Sequence, residues 1–527
     1  MKNYKIYYLL IILFTTGCEK FLEEEPADEI ALDQYFTQPE HARDAVNTLY
    51  RTGAMQLYTG EVYSGARIMF GPYITGFVDN EYKGQEVHVG YAQNLSYNQT
   101  NLSSYFNSMW SDMYLGISRA NTAIKYIPEV EGLTEQESEQ YLAEAHFFRA
   151  LNYFYLVRFF GGVPLITTPY ESLGELELER GSTGAVYDLI IEDLNFAINS
   201  NGLSVSSVPG NNGRISQGVA QTVLADAYLT RSGEAGDGDY YAGAANSARD
   251  IINSGVYNLT QHSFDSNGEL TENGSAYNKN RKQRIVENEY IYYYEYAIGI
   301  GNNPYTQWTF PTALSPKMAY AIVNNAFAPT SDFINSYDPV RDLRIQEKQY
   351  FHSSVTMPDG EHLEFEVSPY YWLDEEAVFE TALSERATPI YTYSNVLLIA
   401  AEAIAQSEGV TSEAVDYLME VRERAYWNED PAAIREALSE LSADAFVEEV
   451  LKERIRELAF EFQIWFDINR TRKFPDPSSV QPGQIDFINV VGATNNFGGT
   501  ITETDLLLPI PEMEMQRNSL LTQNPGY

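Results

Sequence analysis

One thiol is available to this chain, Cys18, and its position limits the chemistry it can do. It follows Lys2 and Lys5, the apolar run Ile6 to Phe14, and the small residues Thr15, Thr16 and Gly17. Basic, then apolar, then small is the order of a secretory signal. The apolar run is too short to cross a bilayer, which takes roughly 20 residues. A lone cysteine can form neither an internal disulfide nor a Cys-x-x-Cys pair. The segment is similar to a bacterial lipobox, with Thr15 where leucine is usual, and predicts cleavage after residue 17 and lipidation of Cys18. An ordinary signal peptide with an incidental cysteine is the alternative. Either one places the mature chain, 527 − 17 = 510 residues, outside the cytoplasm.

Catalytic signatures are mostly absent from the rest. There is no HExxH, no GxSxG elbow and no GxxxxGK[ST] loop. Gly299 to Pro304 begins like a dinucleotide loop, but it lacks the third glycine, and Pro304 spoils the helix start, so it reads as a surface turn. The six histidines, His41, His88, His146, His262, His352 and His362, include no helical i,i+4 pair that would hold zinc. His146 reads as a satisfied packing residue. Paired carboxylates could serve a glycosidase, where retaining enzymes need about 5 Å between them, but Asp374-Glu375-Glu376 reads as a solvated run. Gly236 to Asp239 lacks the spacing of an EF-hand. No cofactor and no metal is called for.

Seventy-four acids against 34 bases give a formal charge of −40, which repels nucleic acid and gains nothing from anionic lipid. A hydrophobic share of 44% argues against disorder. Tyrosine stands out at 40 residues. Its apolar ring and polar tip suit wet surfaces and interfaces.

The elements that must carry any site are mostly helical. Helices are predicted over Asp44 to Arg51, Asp112 to Ile127, Glu139 to Phe160, Ala185 to Asn199, Ser216 to Arg231, Tyr240 to Asn253, Tyr393 to Gln406, Ser412 to Tyr426 and Ala445 to Asn469. In the third, Tyr141, Ala145, Phe148, Tyr155 and Phe159 fall on one side, and Gly161 to Pro164 stop it. In the last, Val447, Leu451, Ile455, Leu458, Phe462 and Trp465 share a face, and Glu448 is placed to pair with Lys452. Small residues, among them Ala220, Ala225, Ala227, Ala400, Ala401 and Ala403, permit close helix approach. Hairpins of about 34 residues suggest tetratricopeptide-like units; plain helical packing is the alternative. The intervals 53–111 and 254–392 are rich in Gly, Asn, Pro and Tyr, with short strand-like runs such as Glu289 to Tyr296. Long loops of this kind are usually functional. The organisation expected is a signal over 1–17, an acidic tether over 18–30 and a single domain over 31–527.

Several blocks together resemble the SusD/RagB family of glycan-binding outer-membrane lipoproteins. They are the start Cys18 to Glu23, Phe147 to Leu165, Gly213 to Ser216 with Leu224 to Leu229, Pro329 to Asp332 with Tyr337-Asp338 and Asp342 to Arg344, Val396 to Leu398 with Ala401 to Ala403, Val421 to Ala425, Glu453 to Glu461 with Trp465 to Asp467, and the tail Leu508 to Pro511 with Asn524 to Tyr527. The order holds across the whole chain. One departure is that Thr392 and Asn395 stand where the family commonly has arginine and an acid.

The resemblance implies a mainly α, tetratricopeptide-like scaffold with elaborated loops and small β elements, and binding rather than catalysis. It implies capture of an oligosaccharide or polysaccharide at the outer-membrane surface, anchored through lipid, and delivery to a SusC-like TonB-dependent transporter. A surface glycosidase and a helical scaffold without glycan affinity are the competing readings. Arg149, Arg158, Arg456 and Glu457 are expected to satisfy one another or loop carbonyls, and Trp465 and Trp110 to lie in the core. Ligand contacts are expected from the two loop intervals: Asp79, Tyr82, Tyr91 and Asn98 from the first, and Tyr305, Trp308 and Tyr320 from the second.

Overall fold

The computed structural model describes residues 35–59, 65–81, 83–84, 86–170, 177–233, 238–314, 316–321, 325–476 and 481–527. Helices α1 (Pro39–Leu49), α2 (Ser103–Tyr126), α3 (Glu135–Phe160), α4 (Thr183–Asn199), α5 (Gln217–Gly233) and α6 (Tyr241–Asn253) each pack against the next. α7 (Tyr393–Glu408) packs on α6 across the whole interval 254–392, so the array continues as if that interval were an insertion. α8 (Ser412–Ala425) and α9 (Ala443–Glu457) then pack on α7, and α10 (Ile464–Thr471) returns to α5. The expected hairpins α5–α6 and α7–α8 are present, and the architecture is mainly α.

Local chemistry sets the helix ends. The Thr134 hydroxyl accepts from the Glu137 amide while the Glu137 carboxylate accepts from the Thr134 amide, a capping box that starts α3. Ser182, Thr411 and Ser442 cap α4, α8 and α9 in the same manner, each side chain accepting one amide of the first turn. Gly161 ends α3 at φ +72°, a backbone conformation that glycine adopts without a Cβ clash. The five residues expected on one side of α3 are buried, but so is every residue from Phe147 to Phe160. The helix is enclosed on all sides and not amphipathic over that stretch. Ala220, Ala225, Ala227, Ala400, Ala401 and Ala403 are all fully buried where helices meet.

The long helix expected over Ala445 to Asn469 is two helices. The chain turns between Glu457 and Ile464, with Phe462 at φ +59°. Phe460 and Phe462 both pack on the Trp372 indole, at 4.8 and 6.1 Å between ring centres. Residues two apart on a helix point away from one another, so the turn is what lets both rings reach one partner. The Glu448–Lys452 pair also differs: Glu448 takes Lys473 at 2.6 Å and Lys452 takes Glu449 at 2.9 Å.

Among the described residues, four two-stranded antiparallel sheets decorate this frame. β1 (Val78–Asp79) pairs with β3 (Ala328–Pro329), β2 (Tyr290–Tyr294) with β6 (Thr388–Thr392), β4 (Phe351–Thr356) with β5 (His362–Pro369), and β7 (Lys473–Pro475) with β8 (Phe487–Asn489). All five residues of β2 are buried. Many tyrosines are therefore core residues rather than surface ones, with hydroxyls bonded inside, as between Tyr58 and Tyr155 at 2.8 Å. A smaller apolar cluster of Phe310, Leu314, Met318, Val355, Tyr370, Leu373 and Val378 lies beneath the β4–β5 hairpin and carries the loop before β3.

Several buried charges are paired inside the protein, although Nε and Nη2 of Arg158 have no hydrogen-bond acceptor. Arg149 grips Asp193 at 2.7 Å, and His146 reaches the same carboxylate at 2.6 Å. Arg456 donates to the carbonyls of Ser336 and Gly483, and Arg158 lies 3.4 Å from Asp226 between the rings of Phe154 and Phe466. Asp374 and Glu375 do not form a solvated run: Asp374 pairs with Arg386 and Glu375 with Arg281. At the departure from the family pattern, the Thr392 hydroxyl donates to Glu461 at 3.0 Å and Asn395 accepts from Arg454 at 2.9 Å.

Candidate ligand-binding rim

Two stretches of chain some 250 positions apart meet at the shortest sheet. In β1–β3, Val78 stands opposite Pro329 and Asp79 opposite Ala328. The Thr330 amide donates to the Phe77 carbonyl at 2.9 Å, which extends the junction by one bond. From the next turn the Glu81 carboxylate accepts from the Thr312 amide at 2.8 Å and its hydroxyl at 3.0 Å. The two loop-rich intervals singled out in the sequence thus form one rim.

Asp79 is the polar centre of that rim. Its carboxylate accepts from the Asn80 amide at 2.8 Å, from Gln93 Nε2 at 3.0 Å and from Lys83 Nζ at 2.8 Å. Gln93 sits in the helix Val87–Gln93, so the short helix fixes the acid from one side. Lys83 also lies 5.0 Å from the centre of the Phe497 ring. Phe497 arrives from the C-terminal part of the chain, where Asn495 Nδ2 donates to the Ile74 and Gln93 carbonyls and Asn496 Nδ2 to the Gly76 carbonyl. Lys83 is 43% exposed and Asp79 30%, so the pair faces solvent. An ammonium, a carboxylate and a ring face side by side can hydrogen-bond hydroxyls and cover an apolar ring face at once.

The seven loop residues expected at a ligand do not share one fate. Asp79 lies at the rim. Tyr320 is 41% exposed, and its carbonyl accepts from Gln307 at 3.2 Å. Trp308 is half-buried against the main core. Tyr91 is likewise half-buried against that core. Asn98 is exposed but turned to local use: it accepts from the Thr100 and Asn101 amides, beside Gln99, whose side chain donates to the Ile510 carbonyl. Tyr82, like Cys18, lies outside the described residues.

Tyr305 requires a correction. It is 4% exposed, its ring stacks on Trp372 at 4.9 Å, and its hydroxyl accepts from Arg67 at 2.5 Å. Burial pushes this phenol up, against the pull of Arg67. The ring closes the core under the rim and presents no face to solvent. Its cause is the Trp372–Phe462 cluster, which pairing between distant segments assembles.

Beside the rim, burial raises the Asp332 carboxyl, against its hydrogen bonds with Asn496 and Ser331. Burial pushes the Glu461 carboxyl up to about 8, but Glu461 is 5% exposed and hydrogen-bonded to Thr392 inside the protein. Among the described residues no cluster of three His, Cys, Asp or Glu side chains could hold a metal ion. No described helix is long and apolar enough to cross a membrane.

Phe497, Asn496, Glu81 and Lys83 were missed by sequence reasoning. The Gly-Asn run around Asn495-Asn496-Phe497-Gly498-Gly499 is a loop signal that could have drawn attention.

Comparison with known proteins follows the same geometry. Residues 346–527 match the model of the SusD family, and residues 20–229 match one described as starch-binding associating with outer membrane. A SusD-like protein P2 of Formosa agariphila is 25% identical, with both chains covered over 100% of their length. The crystal structure of a SusD superfamily protein from Parabacteroides distasonis superposes with a TM-score of 0.80 at 31% identity, over 93% of this chain and 99% of that one. Surface glycan-binding protein A from Bacteroides thetaiotaomicron, solved in complex with laminarihexaose, shares the fold with a TM-score of 0.68 at 17% identity, over 93% of this chain and all of that one. With end-to-end coverage and the helical array in common, the chain belongs to the SusD family.

Proposed function

We propose that this protein is an outer-membrane surface lipoprotein that captures oligosaccharide at the rim and delivers it to a SusC-like TonB-dependent transporter. The observation that carries the reading is the joining of the two loop intervals through β1–β3, which sets Asp79, Lys83 and Phe497 side by side on the surface. Flat sugar rings need such a combination of ring face and hydrogen-bonding edge. Support also comes from the description of the family matched by residues 20–229, starch-binding, and from two structural neighbours, one named laminarin-binding and one holding laminarihexaose. Tyr320 is an exposed ring of the second interval, and Tyr82 directly precedes Lys83 in the sequence. A Kd near 1 mM corresponds to about −4 kcal/mol, so a few contacts suffice and release to a transporter stays easy. Cys18 carries the acyl anchor, residues 18–30 the tether and residues 31–527 the binding body. More than one acyl chain is needed for stable anchoring.

The test is a glycan array probed with the chain lacking residues 1–18, followed by calorimetry on the best ligand. Binding to at least one glycan class is expected, weakened tenfold or more by Asp79→Ala with Lys83→Ala. Silence across the array overturns the reading.

A further inference from the structure

Away from the rim, a cavity of about 540 Å³ lies between α2, the segment that follows Gly162 and the last helix, Glu512–Arg517. That volume falls within the roughly 300–1,000 Å³ typical of small-ligand sites. None of Asp79, Lys83, Phe497 or Tyr320 lines it.

Its walls are fixed before any ligand arrives. Trp110 packs on Tyr114 at 5.0 Å and edge-on to Phe160 at 5.3 Å. Tyr114 donates its hydroxyl to the Pro164 carbonyl at 2.9 Å, which ties α2 to the next wall. Asn518 donates to the Leu178 carbonyl at 2.8 Å and closes the third. The floor is apolar, built with Ile117, Ile166 and Leu521.

The mouth is different in kind. Tyr170 is 40% exposed there, and the hydroxyl-bearing Ser111 and Ser118 of α2 and Thr168 line the same cavity. Glu514 and Arg517, one turn apart on the last helix, pair at 2.8 Å on one side of it, leaving the guanidinium 65% exposed. The pair is neutral as a unit, so the site has no strong preference for a charged guest. It still presents both an acceptor and donors to vicinal hydroxyls. An apolar floor with rings, edged by hydroxyls and one neutral ion pair, matches a ring that is apolar on its face and hydroxylated at its rim.

We infer that this cavity is a second carbohydrate site, taking one or two sugar residues at the end of an oligosaccharide, with Tyr170 as its open ring, the buried Trp110 supporting the wall behind, and Glu514 and Arg517 as its hydroxyl readers. The inference rests on the glycan-binding reading above and adds a site to it. Two sites on one chain would hold a polysaccharide at two points, and each weak contact then gains from the other through effective concentration.

The test uses the full chain in detergent, titrated by calorimetry with laminarihexaose, maltohexaose and cellohexaose in turn. Two sugars per chain are expected for the oligosaccharide that binds. Ser111→Trp, which fills the mouth from an exposed helix position, and Tyr170→Ala, which removes the open ring, should each lower the stoichiometry from two to one. In both, the remaining event keeps its affinity within twofold and is lost on adding Asp79→Ala with Lys83→Ala. A stoichiometry of one in the parent chain, untouched by Ser111→Trp and Tyr170→Ala, overturns the second site while leaving glycan binding in place. No heat from any of the three sugars, together with a silent array, overturns both.

Discussion

Arg344 and Glu453 meet at 2.7 Å with neither side chain exposed to solvent. The same guanidinium holds Asp342 at 2.8 Å and Glu457 at 2.9 Å, and Glu453 also takes Arg422 at 3.0 Å. Burial alone would raise the Glu453 carboxyl, but Arg344 and Arg422 hold it down at about 2. Removing one member of such a network strands the others without water. Arg344→Ala is expected to cost about 3–5 kcal/mol, read as a lower urea midpoint. A loss below 1 kcal/mol would show that the acids find other partners.

Glu461 is the reverse case. Burial pushes its carboxyl up to about 8, against the Thr392 hydrogen bond, and no arginine bonds it directly among the described residues. A carboxyl raised in the fold binds its proton more tightly there than in the unfolded chain. Its contribution is therefore complete below the ordinary carboxylate value near 4.5 and is lost as pH rises through about 8. Within that window the slope is at most about 1.4 kcal/mol per pH unit. Glu461→Gln, which cannot ionise, should flatten the fall in urea midpoint between pH 5 and 8. Parallel curves for the two proteins would remove Glu461 as the cause.

How far these features could be read from the sequence depends on the range of the interaction. The end of α3 was legible, because Gly161 acts within one turn of chain, whereas the Thr134–Glu137 capping box lies ahead of the start expected at Glu139. Hairpins such as α5–α6 were legible because neighbouring helices pack on neighbours. The split at Phe462 was not, since it answers to Trp372, ninety positions earlier. The rim was half legible: loop composition marked both intervals, yet its register depends on strands of two residues each, too short to leave an alternating pattern. Phe497 escaped notice because the C-terminal part read as frame. Nothing in the sequence separates a buried Tyr305 from an exposed Tyr320 when both sit in one Tyr-rich loop.

Anchoring can be tested apart from sugar binding. Acylation of the lone thiol predicts that radiolabelled palmitate enters the parent chain and that the protein sediments with outer membranes. Cys18→Ser should abolish label and release the protein, because no described helix can take over as a span. A variant that still sediments would mean another mode of attachment.

Tyr305 and Tyr320 give the sharpest separation of packing from ligand contact. Tyr305→Phe keeps the ring stacked on Trp372 but takes away the hydroxyl that accepts from the buried Arg67. A buried donor losing its acceptor costs about 1–3 kcal/mol, so the urea midpoint should fall while glycan affinity stays within twofold. Tyr320→Ala should do the opposite. Its ring is 41% exposed, and surface changes of this kind usually alter stability by less than about 0.5 kcal/mol. If it stacks on sugar, the loss should reach about 1–3 kcal/mol of binding, the range for burying or exposing one large side chain. Equal effects of the two changes on affinity would mean that the rim is more plastic than the packing around Trp372 implies, and the assignment of Tyr305 to the core would then have to be reversed.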